Sequence, residues 1–176
     1  MNNKKAENLS NMNYKIRAIK NNEYELLNDF LYEAIFIPAG VQAPPKSIIN
    51  TPALQVYVKD FGKFKDDHCL VAEVEGNVIG AVWVRVMDDY GHIEEGVPSF
   101  AISLYKDYRG QGIGTELMYK MLALLRDKGY EKASLAVQKE NYAVNMYRKV
   151  GFEIIDENKE EYIMICFPYQ NETKNH

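Results

Sequence analysis

The chain has 176 residues, 47% of them hydrophobic and 26% charged, and its formal net charge at pH 7 is −4. This length and composition predict one globular domain with a hydrophobic core, because the chain is too short for two domains that each bury a core. The mild negative charge and scattered basic residues argue against a nucleic-acid partner, and no apolar run approaches the ~20 residues of a membrane span.

The two ends of the chain, the cysteines and the histidines give further predictions about location, domain bounds and metal binding. Residues 1–12 are polar and lack the apolar core of a signal peptide, so we predict a disordered lead and a cytoplasmic protein. The tail, 170–176, is also polar, which leaves residues 13–169 as a single domain. Cys69 and Cys166 lie in predicted strands as buried thiols, with a disulfide or a reactive thiol as the alternative. The histidines lack metal-ligand spacing, so no metal is predicted.

The first half of the chain shows strand and helix patterns in turn. Alternation over residues 14–19 predicts a first strand, and apolar residues at helical spacing over 24–34 predict a helix. A breaker-rich loop covers 36–45. Residues 52–61 are predicted to form a second helix, because proline suits a first helical turn.

A hairpin follows. Two β-forming runs, 68–74 and 78–86, flank the turn Glu75-Gly76-Asn77 and predict the second and third strands. Residues 87–97 are polar and read as a loop. The hairpin and the loop lead directly into the most informative stretch of the chain.

That stretch is a strand, a glycine-rich turn and a helix between Ser99 and Leu125. The turn from Arg109 to Thr115 carries three glycines and almost no side-chain bulk, so it exposes backbone N–H groups at a helix N-terminus, where a pyrophosphate binds well. It is not a Walker loop, because no lysine follows Gly114. It is not the dinucleotide fingerprint either, because Thr115 occupies the position of the third glycine.

The C-terminal part continues with a strand over 132–137 and a helix over 143–150 that ends at Gly151, a residue suited to a helix stop. Two final strands are predicted over 153–156 and 162–167. This completes seven strands and four helices.

Two motifs in this order resemble the GNAT superfamily of N-acetyltransferases. They are Arg-x-x-Gly-x-Gly at 109–114, and Asn141-x-Ala followed by Tyr147 and Gly151-Phe152. The resemblance implies an α/β (α+β) fold. Its central sheet would be mixed and mostly antiparallel, with six to seven strands and about four flanking helices. Strands four and five would be splayed to hold CoA. The implied reaction moves an acetyl group from acetyl-CoA to a primary amine by direct attack through a tetrahedral intermediate.

The resemblance also assigns a CoA site. Backbone N–H groups of the glycine turn would bind the pyrophosphate, strand four would run beside the pantetheine arm, and Asn141 would bond that arm or serve as a plain helix N-cap. The residues are Ile102, Leu104, Arg109, Gly110, Gln111, Gly112, Ile113, Gly114, Thr115 and Asn141.

Tyr147 lies where the family places its general acid, and packing of the helix against the sheet is the alternative. A free thiol has a pKa of about 8.5 and a tyrosine about 10, so proton transfer between them is not steeply uphill. Glu94 and Glu95 are candidate bases, with a solvated acidic loop or a water chain as alternatives. Strand five lacks the glutamate often found in protein N-terminal acetyltransferases, which argues against that specialisation.

The resemblance implies a small-molecule or peptide amine as the acceptor, and the sequence does not identify which one. Candidate acceptor-binding residues are Tyr32, Glu33, Phe36, Asp89 and Tyr90, with Asp88 beside them. Two other functions stay open: a sensor that binds CoA or acyl-CoA without turnover, and a structural protein with a vestigial loop. The family often dimerises through its C-terminal strands, so a homodimer is possible.

Overall fold

The computed structural model describes residues 12–87 and 93–170. The predicted lead up to residue 11, the tail from 171 and the candidates Asp88, Asp89 and Tyr90 lie outside those ranges. The strands are β1 Lys15–Ala18, β2 His68–Val74, β3 Asn77–Arg85, β4 Ser99–Leu104, β5 Ala133–Gln138, β6 Glu153–Glu157 and β7 Glu161–Cys166. The α-helices are α1 Leu26–Glu33, α2 Pro52–Gln55, α3 Ile113–Asp127 and α4 Ala143–Val150, with short 3-10 helices at Asn21–Glu23, Lys46–Asn50 and Lys106–Tyr108.

The seven strands form one sheet in the order β1-β2-β3-β4-β5-β7-β6. Neighbouring strands are antiparallel except for β4 and β5, which are parallel. The predicted mixed, mostly antiparallel sheet is therefore confirmed.

Strands β4 and β5 touch at one end and then separate. They share a single register pair, Ser99 with Ser134, and the Ser134 N–H donates to the Pro98 carbonyl at 3.0 Å. On its other side β4 pairs with β3 along its whole length. The predicted splay of strands four and five is confirmed, and it leaves most of one edge of β4 without a strand partner.

Hydrophobic residues cover both faces of the sheet, because side chains alternate along a strand. On one face Val82 and Val84 pack with α3 and α4. On the other face Ala81 and Trp83 pack with α1 and the segment after α2. Both cysteines are buried, as predicted, and no disulfide joins them. Within the described ranges, no helix is long and apolar enough to cross a membrane.

The helix predicted over 52–61 is wrong in its length, since α2 ends at Gln55. The cause lies on β3. The buried Arg85 guanidinium donates to the carbonyls of Val56 at 3.0 Å and Lys59 at 2.8 Å. In a helix that continued to residue 61, the Val56 carbonyl would accept from the Asp60 N–H, but Asp60 has a positive φ of 55°, which is not helical. Arg85 also pairs with buried Asp67 at 2.9 Å, which fixes this irregular segment on the sheet.

Candidate active site

A cavity of about 680 Å³ lies at the open end of the gap between β4 and β5. This volume is within the usual range for small-molecule sites. One side is built from the end of β4, the glycine turn, the start of α3 and the N-terminal part of α4. The other side is built from the end of α1 and the loop that follows it, up to Ala43.

The glycine turn delivers an open helix N-terminus to this cavity. Gly112 is the N-cap of α3 with φ 85° and ψ −4°, a left-handed conformation that favours glycine, and no side chain caps the helix. A Cβ built on Gly110 or Gly112 meets nothing within 4 Å. The first N–H groups of α3 have no intrahelical partner. The turn therefore offers uncovered donors and a positive dipole end to an anion.

The edge of β4 supplies further backbone groups. The Tyr105 N–H donates to Ile79 on β3 at 3.0 Å, so alternation turns the backbone groups of Ile102 and Leu104 away from β3 and towards the gap. The Leu104 carbonyl accepts from Arg109 Nε at 2.9 Å. The N–H groups of Ile102 and Leu104 face the gap beyond the last β4–β5 pair, where a ligand can accept from them.

Arg109 ties the two sides of the cavity together. One guanidinium nitrogen, Nη2, donates to the Glu33 carboxylate at 2.8 Å and to the Glu33 carbonyl at 3.2 Å. With its bond to Leu104, Arg109 joins the turn, the end of β4 and the end of α1. Glu33 and Arg109 both line the cavity, but their charges already compensate each other.

Tyr147 lines the cavity from α4. Its side chain is only 9% exposed, and its ring packs edge-on against Phe152 with the centroids 6.1 Å apart. Burial raises the pKa of the Tyr147 hydroxyl well above its usual value, with a smaller contribution from Tyr142. The hydroxyl therefore stays protonated at neutral pH and has a proton to donate, but the raised pKa also makes it a weaker acid than a free tyrosine.

Asn141 lies beside Tyr147 at the start of α4. Its Oδ1 accepts from the Ala143 N–H at 2.9 Å, the geometry expected of a helix-capping side chain. Asn141 also lines the cavity. The capping role therefore does not remove the residue from the site.

The structure brings most of the predicted residues together. Gln111 and Ile113 are the predicted CoA residues outside the lining: Gln111 donates to the Asp107 carbonyl at 3.1 Å, and the Ile113 side chain is buried in the core. The acceptor candidates Asp88, Asp89 and Tyr90 lie outside the described residues. The other described residues named for CoA or acceptor line the cavity: Tyr32, Glu33, Phe36, Ile102, Leu104, Arg109, Gly110, Gly112, Gly114, Thr115 and Asn141.

The two candidate bases lie elsewhere. Glu94 is exposed and pairs with Lys132 at 2.6 Å, and Glu95 is also exposed. Both precede β4, at the end where it pairs with β5, whereas the cavity lies at the Leu104 end about 17 Å along the strand. The structure does not bring them to Tyr147.

Sequence reasoning missed several lining residues. The loop after α1 contributes Ile35, Ile37 and Val41, the segment after β4 contributes Lys106, and Tyr142 lies at the start of α4. The sequence pattern predicts this loop only as a breaker-rich connection. Its density of apolar residues without helical spacing was the available signal.

A model of the acetyltransferase (GNAT) family matches residues 39–152, more than half of the chain. This chain belongs to that family. The resemblance stated from the two motifs is thereby confirmed.

Two curated relatives place the chain among acetyltransferases. It is 35% identical over 83 residues to a mycothiol acetyltransferase of Thermobifida fusca, covering 45% of this chain and 26% of the relative. It is also 35% identical over 92 residues to an acetyltransferase of Pectobacterium atrosepticum, covering 51% and 60%. The chain therefore spans less than two thirds of either relative.

A solved structure supports the fold. The PaiA N-acetyltransferase of Thermoplasma acidophilum, in complex with coenzyme A, superposes with a TM-score of 0.65 at 18% identity. The superposition covers 89% of this chain and 99% of that chain. At this identity the match shows the fold alone.

Proposed function

We propose that this GNAT protein is an acetyl-CoA-dependent N-acetyltransferase that acts on a primary amine of a small molecule or a peptide. The observation that carries the proposal is a single cavity shared by an uncapped helix N-terminus, an unpaired strand edge and a buried tyrosine hydroxyl. These are the three parts that thioester aminolysis needs: an anion site, an oxyanion donor and an acid.

The residues fit the chemistry of acetyl-CoA. The open N–H groups at the start of α3, beside Gly110 and Gly112, suit a pyrophosphate because no side chain would collide with it. The gap beside β4 suits an extended amide-containing arm, since its backbone donors are turned outwards. Lys106 adds a positive charge at the same side of the cavity.

The reacting end would meet Ile102, Leu104 and Tyr147. An N–H on β4 donates to the thioester carbonyl and stabilises the negative charge that develops there; one such donor is worth about 3–4 kcal/mol in other acyl-transfer enzymes. Bound acetyl-CoA supplies the acetyl group, a C–N bond forms to the amine and the C–S bond breaks. Tyr147 donates its proton to the departing sulfur and regains one from the amine through solvent.

The described cavity lining contains no unpaired carboxylate that could act as the general base. Glu94 and Glu95 remain the predicted candidates, although both lie outside the cavity lining. Among the described lining residues, Glu33 is the one carboxylate, and Arg109 already pairs with it. Ordered water that carries the amine proton to bulk solvent is therefore part of the proposal.

The test is a thiol-release assay with acetyl-CoA and a panel of amines, amino acids and lysine peptides. Gly112→Trp is compared with Gly129→Trp. Both glycines are exposed, both have positive φ (85° and 87°), and neither has an atom within 4 Å of a built Cβ. The backbone strain is matched, but only Gly112 lines the cavity, whereas Gly129 follows the far end of α3.

We expect thiol release with one class of amine, lost in Gly112→Trp and kept in Gly129→Trp. A thermal shift with acetyl-CoA but no release with any amine would support the sensor function instead. No thermal shift in the wild-type protein would refute the CoA site itself.

A further inference from the structure

We infer that the acceptor is a monoamine with an apolar body, aromatic or aliphatic, and not a polyamine. This inference rests on the proposed function and names the substrate class of the same cavity. It is carried by an apolar wall, defined as the cavity-lining residues Ala34, Ile35, Phe36, Ile37, Pro38, Val41 and Ala43.

The apolar wall is not part of the core. Within the described ranges, none of its side chains belongs to, or packs against, either of the two hydrophobic clusters of the sheet. Ile35, Phe36 and Ile37 are only partly buried, and Val41 is 57% exposed. A run of apolar side chains that faces a cavity and is not needed for the core is typical of a site for an apolar ligand group.

The position of the wall fits the acceptor. Across the cavity lie the glycine turn and the edge of β4, which take acetyl-CoA in the proposed function. An amine that reaches the Tyr147 end of the cavity must then lie between that side and the apolar wall. Tyr142, 69% exposed at the start of α4, provides a second aromatic surface beside it.

The charges of the cavity disfavour a polycation. The described lining contains one carboxylate, Glu33, and it forms an ion pair with Arg109 at 2.8 Å. With Glu33 and Arg109 paired, Lys106 gives the rest of the described lining a positive charge. A second ammonium group would find no unpaired carboxylate among these residues, and an unpaired charge is costly to desolvate.

The experiment compares kcat/KM for ethylamine, butylamine, hexylamine and phenethylamine with that for putrescine and spermidine, at one pH and saturating acetyl-CoA. We expect a rise of at least about 10-fold from ethylamine to hexylamine or phenethylamine, because added apolar groups gain about this much in an apolar pocket. Spermidine should fall at least about 10-fold below hexylamine.

Variants of the wall locate the effect. Phe36→Ala should lower the phenethylamine-to-ethylamine ratio of kcat/KM about 10-fold, and Phe36→Leu should restore part of it. The matched control is Phe167→Ala, which removes an exposed phenylalanine outside the cavity lining and should leave the ratio unchanged. Because Phe36 packs against neither cluster, its variants should keep the wild-type melting temperature.

Three results would overturn the inference: a preference for spermidine or putrescine, a flat response to chain length, or reaction with lysine peptides alone. Failure of the proposed function looks different, because acetyl-CoA would then give no thermal shift in the wild-type protein. If acetyl-CoA binds and no monoamine reacts, the acceptor class is wrong while the CoA site stands.

Discussion

Replacement of Tyr147 by phenylalanine separates chemistry from packing at this site. The change removes one oxygen and keeps the ring that packs 6.1 Å from Phe152. Within the described part of the chain, the Tyr147 hydroxyl has no hydrogen-bond partner that its loss would leave unpaired. We therefore expect the free energy of unfolding to change by less than about 1 kcal/mol.

The kinetic effect should be much larger. A positioned general acid contributes roughly 10²–10⁴-fold, which corresponds to about 3–5 kcal/mol of activation free energy. The loss should be greatest below about pH 8.5 and should shrink above it, because a thiol of that pKa leaves readily as the thiolate. Burial raises the pKa of Tyr147, so its own ionisation should not reduce the wild-type rate up to about pH 10.

The assay measures thiol release from about pH 6.5 to about pH 9.5, a range that includes the thiol pKa of about 8.5, at saturating acetyl-CoA. The Kd for acetyl-CoA is measured separately by calorimetry. Tyr119→Phe is the control, because the Tyr119 hydroxyl bonds the Lys149 carbonyl outside the cavity. Two results would refute the role of Tyr147 as an acid. One is a decrease in the kcat of Tyr147→Phe that is smaller than about 3-fold, and the other is an increase in the Kd for acetyl-CoA as large as the decrease in kcat.

Three further perturbations test the fold and the base. The Arg17 guanidinium lowers the pKa of Glu23 from 4.5 to about 2, so this stabilisation is complete above pH 4.5 and disappears as the pH falls towards 2. Glu23→Gln should thus lower the free energy of unfolding by about 1–2 kcal/mol at pH 7 and by much less at pH 3 in urea titrations; an equal loss at both would contradict this cause. Gly80→Ala places a Cβ 2.0 Å from Leu104 Cδ2. It should lower the free energy of unfolding by about 1–3 kcal/mol and weaken the acetyl-CoA thermal shift. An unchanged melting temperature would show that Leu104 moves freely. Glu94→Gln should change kcat less than about 2-fold, since Glu94 pairs with a surface lysine. A decrease in kcat of about 10-fold that occurs only at low pH would instead identify Glu94 as the general base.

Residue spacing and turn residues predicted those elements whose structure depends on neighbouring residues in the chain. The seven strands, the long helix α3 and the stop of α4 at Gly151 all followed from periodicity and turn chemistry. The truncated α2 could not be predicted this way, because the carbonyls of Val56 and Lys59, which follow it, accept from Arg85 on a strand later in the chain.

The candidate site divides in the same way. The glycine turn and Tyr147 carry motifs that short stretches of sequence reveal. The pairing of Glu33 with Arg109 joins residues 76 positions apart, and only the folded chain shows that the Glu33 carboxylate is already paired with a guanidinium. The apolar wall was equally hidden, because its residues follow no periodicity.

The separation of β4 from β5 has a mechanical consequence. A single register pair, Ser99 with Ser134, connects a four-stranded half-sheet to a three-stranded one. Between the two halves, packing of α3 and α4 supplies the remaining cohesion. A molecule lodged in the opening, bonded to β4 on one side and touching α4 on the other, would act as a temporary eighth strand. The domain would then be stiffest during turnover, and amide hydrogens on both halves would exchange more slowly whenever the opening is filled.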